Sequence, residues 1–152
     1  MWQLALTVCF LTLFDQGTKF FAQSLIPDEG FFLFPFFALQ FFLNKTFWGF
    51  SFSQAYYIAA SIAFLAAWSA VYYRVLRSSE QRPYVFLGTS LLLSGIVSNM
   101  IDRIRFGGVV DWMNFNGVGI FNFADVFIIT GTVLLAWYFF KIDQKKGILK
   151  SN

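Results

Sequence analysis

Asp111 and Asp125 lie fourteen residues apart and are the only charged residues in FGGVVDWMNFNGVGIFNFADVF, Phe106–Phe127. An isolated carboxylate is costly beside hydrocarbon, so two in such surroundings need a reason. Two carboxylates held close cannot both ionise easily, and one keeps a proton. The ionised partner can then take a proton from water as the water attacks a carbonyl. The protonated partner donates to the developing oxyanion. Such a pair titrates as a unit, and an apolar rim raises both its steps.

Composition says what must position these residues. The 152 residues suit one domain, are 58% hydrophobic and only 12% charged, and have a mean hydropathy of +0.63. A soluble domain carries about twice that share of charge. The class is a polytopic membrane protein, its 23 Phe and 5 Trp suiting lipid contact and interfacial belts. Eleven Lys and Arg are too few for a nucleic-acid surface and read better as topology signals. Histidine is absent and there is one cysteine, which removes Ser-His and Cys-His nucleophiles, an H-E-x-x-H zinc site and any intrachain disulfide. Cys9 is expected to be a small buried hydrophobe. Its LTVC context faintly resembles a lipidation box, but no basic start precedes it.

Four apolar segments can span a bilayer: about 2–22, 54–73, 84–101 and 123–140. The first carries Asp15 and Lys19 where a signal peptide would be cleaved, so it is read as retained. The run FFLFPFFALQFFL, Phe31–Leu43, is short for a span and holds Pro35, a helix breaker. Its Phe content predicts a strand or re-entrant element on the membrane. Arg74, Arg77 and Arg82 lie between the second and third segments, and Lys141, Lys145, Lys146 and Lys150 after the fourth. The positive-inside rule puts both regions and both termini in the cytoplasm, and the connections 23–53 and 102–122 outside. Asp15, Lys19, Asn44, Asn99, Asp102, Arg103, Asp111, Asn122 and Asp125 then gather at the outer face, from four parts of the chain.

Each has a plain structural role to weigh. Asn122 can cap the fourth helix, with Asp125 as the third residue of a capping box. Asp111 can be a solvated loop acid, although Val109, Val110, Trp112 and Met113 suggest an amphipathic segment resting in the interface. Asp15 and Lys19, four apart, can neutralise each other. Arg103 can snorkel to headgroups or hold loop carboxylates. Paired carboxylates without histidine or metal-ligand spacing favour aspartyl-protease logic at a membrane surface.

The chain resembles bacterial lipoprotein signal peptidase, or signal peptidase II, over most of its length. FDQGTKFF resembles that family's D-Q-x-[ST]-K element through Asp15, Gln16, Thr18 and Lys19. SGIVSNMIDRIRFGGVVDWMNF resembles its G-x-x-x-N-x-x-D-R and V-x-D-[FYW] elements through Gly95, Asn99, Asp102, Arg103 and Asp111. FNFADVFI resembles F-N-x-A-D through Phe121, Asn122, Ala124 and Asp125. The resemblance implies an all-α polytopic protein of four transmembrane helices, with a β-like extracytoplasmic cradle built from Phe31–Phe52. It implies an endopeptidase of the inner membrane that cuts a prolipoprotein just before its diacylglyceryl-modified cysteine. Asp111 and Asp125 would be the catalytic dyad. Asn44, Asn99, Arg103 and Asn122 would orient substrate or dyad, and Asp15, Lys19 and Asp102 would brace the scaffold. There are departures. NKTFWGF has Thr46 where the family's motif has glycine and bulky Phe47 and Trp48 where small residues are usual, and Ser98 replaces a glycine before Asn99.

The expected partners are a lipid-modified prolipoprotein and membrane lipids, with no nucleic acid, no cofactor and no metal, and the expected state is a monomer. The competing class is a small transporter or channel using membrane acids as an ion path. Such sites sit near the midplane on broken helices, whereas these acids cluster at one end and no internal repeat is evident.

Overall fold

The computed structural model describes residues 2–27, 29–46, 52–77 and 83–150, without the side chains of 75–77 and 142–150. Phe47, Trp48 and Arg82 thus lie outside the described residues, as do the side chains of Arg77 and of the lysines after Lys141.

Four helices and four strands follow in the order α1 (Trp2–Leu25), β1 (Phe31–Phe34), β2 (Phe37–Asn44), α2 (Gln54–Arg77), α3 (Pro83–Phe106), β3 (Val109–Phe115), β4 (Gly119–Phe121) and α4 (Phe123–Lys150). Three helical stretches are long and apolar enough to cross a membrane: Gln54–Arg74, Pro83–Phe106 and Phe123–Lys141. Helix α1 has 24 residues, but its polar side chains keep it out of that set.

The molecule is polar inside and apolar outside. Asp15, Ser90, Ser94, Ser98, Asp102 and Asn122 are wholly buried, while Phe10, Phe20 and Phe140 are among the exposed side chains. That inversion suits lipid as solvent, where buried polar groups must find protein partners. Cys9 is exposed and not buried as expected; towards lipid a thiol is simply another apolar group.

Helices α3 and α4 form the central pair. A side chain at Gly95 would collide with the carbonyl of Ala124, and one at Gly131 would come within 2.6 Å of the Gly88 carbonyl, so the two backbones approach closely. Away from the sheet, Tyr72, Val85, Leu92, Leu135 and Tyr138 fill the bundle.

The sheet is antiparallel throughout, in the order β1-β2-β3-β4. The Phe-rich run supplies β1 and β2, with Pro35 in the turn between them. The fold is therefore not all-α: the cradle is a true four-stranded sheet. The segment expected to lie as an amphipathic element in the interface is β3, an inner strand. Two β-branched residues and an aromatic within Val109–Trp112 favour that conformation. Helix α3 runs five residues beyond the apolar span that ends at 101 and carries Asp102 and Arg103 in its last turns, where both find partners inside the fold. Gly107, at φ 67°, then closes the helix and turns the chain into β3.

Candidate active site

The site lies where the sheet meets the ends of α1, α3 and α4. Asp111 is central in β3, 1% exposed and paired with Phe42 of β2. Between Leu39 and Phe42 the register slips by one residue, a bulge beside the acid of the kind that re-aims a side chain. Its Oδ1 accepts from Asn122 Nδ2 at 2.6 Å and its Oδ2 from Asn44 Nδ2 at 3.0 Å. Asp125 begins α4. Its Oδ1 accepts from Asn99 Nδ2 at 2.9 Å and its Oδ2 from the Asn122 backbone N–H at 3.2 Å. The Asp125 N–H returns a bond to Asn122 Oδ1 at 2.8 Å. The capping box is therefore complete, and its cap residue touches both acids.

Three asparagines thus hold two aspartates, and each amide is oriented through its oxygen. Asn99 Oδ1 accepts from Lys19 Nζ at 2.9 Å, which turns its NH2 towards Asp125. Asn122 Oδ1 is fixed by the Asp125 N–H. Asn44 Oδ1 accepts from the backbone N–H and the Oγ1 of Thr46, both at 3.0 Å. The threonine at the divergent position therefore helps aim Asn44 at Asp111.

The charges are arranged otherwise. Lys19 reaches Asp15 at 2.8 Å and Asp102 at 2.7 Å, so the i,i+4 pair expected within α1 is one arm of a bridge to α3. Arg103 donates to Gln54 Oε1 at 2.9 Å and to the Thr46 carbonyl at 3.0 Å, and lies 4.1 Å above the Tyr57 ring. It holds the chain that follows Asn44, and neither of these bonds is to a carboxylate. Its charge remains within electrostatic reach of Asp111 and Asp125.

Burial, and after it the charge of Asp125, push the Asp111 carboxyl up to about 7 against the opposing pull of Asn44, Lys19 and Asn122. Neutral amide donors favour the ionised form less than a cation would, so the acid can hold its proton near neutrality. Gln16, Thr46, Gln54 and Ser98 also belong to this network, though the sequence did not mark them as site residues. Gln16 stood in a quoted motif and Ser98 at a departure from one. Nothing in the sequence marked Gln54 beyond its place at the start of an apolar helix.

The Signal peptidase (SPase) II family model matches residues 7–141. The chain belongs to the signal peptidase II family. It is therefore a bacterial membrane protease. The lipoprotein signal peptidase of Pelotomaculum thermopropionicum is 29% identical over 152 residues, covering 95% of each chain. That of Clostridioides difficile is 38% identical over 86 residues, a stretch that spans 57% of the relative's length. A solved bacterial membrane enzyme superposes with a TM-score of 0.80 at 27% identity, over 96% of this chain and 92% of the other.

Proposed function

We propose that the protein is a membrane aspartyl endopeptidase that removes signal peptides from diacylglyceryl-modified prolipoproteins, with Asp111 and Asp125 as its dyad. The supporting observation is that both acids hydrogen-bond Asn122 while amides, not cations, hold them, and one has its pKa raised to about 7. The raised carboxyl of Asp111 lets it carry the proton of the pair near neutrality. Protonated, it donates to the scissile carbonyl oxygen as charge develops there. Asp125, ionised, takes a proton from the attacking water. Asn44, Asn99 and Asn122 keep the acids aimed, and Arg103 secures the loop that carries Asn44.

In this reading α1 is the fourth transmembrane helix, its polar residues being satisfied by α3 and α4. Both termini are cytoplasmic and the sheet and dyad lie at the extracytoplasmic face of the inner membrane. The protein acts as a monomer. An ion path through the bundle has less support, because the polar network stops at one end and Tyr72, Leu92, Leu135 and Tyr138 close the other. The test is cleavage of a lipid-modified precursor in detergent or proteoliposomes. Asp111→Asn and Asp125→Asn should each abolish turnover while remaining folded; normal cleavage by either would refute the dyad.

A further inference from the structure

Each proposed catalytic aspartate follows a residue whose backbone N–H is held by another buried carboxylate. Asp15 Oδ1 accepts from Ala124 N at 2.8 Å, just before Asp125. Asp102 Oδ2 accepts from Val110 N at 3.1 Å, just before Asp111. The start of α4 and the start of β3 are thus each pinned to a separate carboxylate. The spacing of the dyad depends on how those two carboxylates are joined.

They are joined twice. Lys19 bridges them as a cation. An ammonium on a flexible stem tolerates a range of separations, so it supplies charge more than geometry. The second join is uncharged. Gln16 Nε2 donates to Asp102 Oδ1 at 2.7 Å and to Ser98 Oγ at 3.0 Å, and Ser98 Oγ donates to Asp15 Oδ2 at 2.6 Å. The same amide also reaches the Ser98 carbonyl at 3.2 Å. A planar amide and a hydroxyl with a single hydrogen have few ways to satisfy these partners at once. Ser98 is 0% exposed, so bulk water cannot replace its hydroxyl.

We infer that Gln16 and Ser98 are positioning residues, forming a neutral yoke between Asp15 and Asp102 that sets the separation of Asp111 and Asp125. The inference rests on the dyad reading above. Ser98 stands where the motif it resembles carries glycine, so this half of the yoke is a feature of this chain. Without the hydroxyl, Asp15 loses a charge-assisted bond and is free to shift with the first turn of α4. The dyad then loses its spacing, and with it the repulsion that separates its two proton-release steps.

The test compares Ser98→Ala, Gln16→Met and the double variant in the full-length protein, cleaving a lipid-modified precursor across a pH range. Thermal midpoints are measured alongside. Ser98→Ala is expected to lower kcat about tenfold, with KM changed less than about twofold and the limbs of the pH profile moved towards each other. Gln16 is only half-buried, so Gln16→Met keeps the test open if Ser98→Ala does not fold. The double variant should lose no more than the worse single one, since both break the same link. Unchanged kcat and limbs would overturn the yoke, as would a loss that merely follows the folded fraction with the limbs in place. Asp125→Asn run in parallel separates the two ideas. If it still cleaves, the dyad fails; if it is inactive while the yoke variants behave as wild type, only the yoke fails.

Discussion

Two pairs of aspartates occupy the same end of the bundle and are treated in opposite ways. Asp15 and Asp102 share Lys19, within 2.8 Å of each. Asp111 and Asp125 form no ion pair among the described residues and accept amide hydrogens instead. A cation beside a buried carboxylate locks in its charge, whereas a neutral amide orients it and leaves its protonation open. The first pair is suited to holding helices together and the second to exchanging protons. One class of side chain is thus fitted to brace or, under the proposed function, to exchange protons according to what faces it.

The strongest way to break that contrast is to remove the cation. Lys19→Met should leave two buried carboxylates without a counter-charge and lower stability by roughly 3–5 kcal/mol, read as a collapsed thermal midpoint in detergent. A small shift would mean that the Lys19 bridge contributes little to holding α1 against α3.

The next largest effect concerns pH. The rate should follow a bell, with its alkaline limb near pH 7 as Asp111 loses its proton, and a chelator should leave it unchanged. A rate still rising through pH 8 would reverse the assigned roles.

Stability offers a third test. Asp111 holds its proton up to about 7 when folded and to about 4 when unfolded, so between those values the folded state binds more protons. Its contribution to stability is therefore full below about pH 4 and lost as pH rises through 7. The stability of Asp111→Asn relative to wild type should thus rise as the pH is raised from 4 to 8, from a starting cost set by the one acceptor oxygen lost to Asn44 or Asn122. An equal difference at every pH would mean that burial does not raise this carboxyl.

The smallest expected change sharpens the role of the amides. Thr46→Val removes one of two donors to Asn44 Oδ1 and should lower kcat/KM by about two- to threefold, with the folded fraction unchanged.

The brace and the acids were not equally legible in the sequence. Asn122 and Asp125 carried their capping box openly, because its partners are three residues apart. The Phe-rich run left a strand or a re-entrant element open through Pro35 and its β-favouring side chains, and the fold makes it two strands. Lys19 showed only its helical neighbour Asp15, since Asp102 stands beyond two intervening strands and a helix. The partners of Asp102 and Arg103 were hidden for a related reason: Gln16, Val110, Gln54 and Thr46 reach them only once the fold brings distant segments together. Local chemistry could be read from spacing, whereas tertiary pairing needed the fold.

Every residue of β1, Phe31–Phe34, is exposed on both sides of the strand, and all four are apolar. A ribbon with no wettable side settles at the edge of the hydrocarbon, and it is hydrogen-bonded through β2 to the strand that carries Asp111. Under the proposed function the sheet would act as a depth gauge. A peptide bond would be reached only if its attached acyl chains hold it at that same level, so substrate choice would rest on altitude above the lipid as much as on sequence.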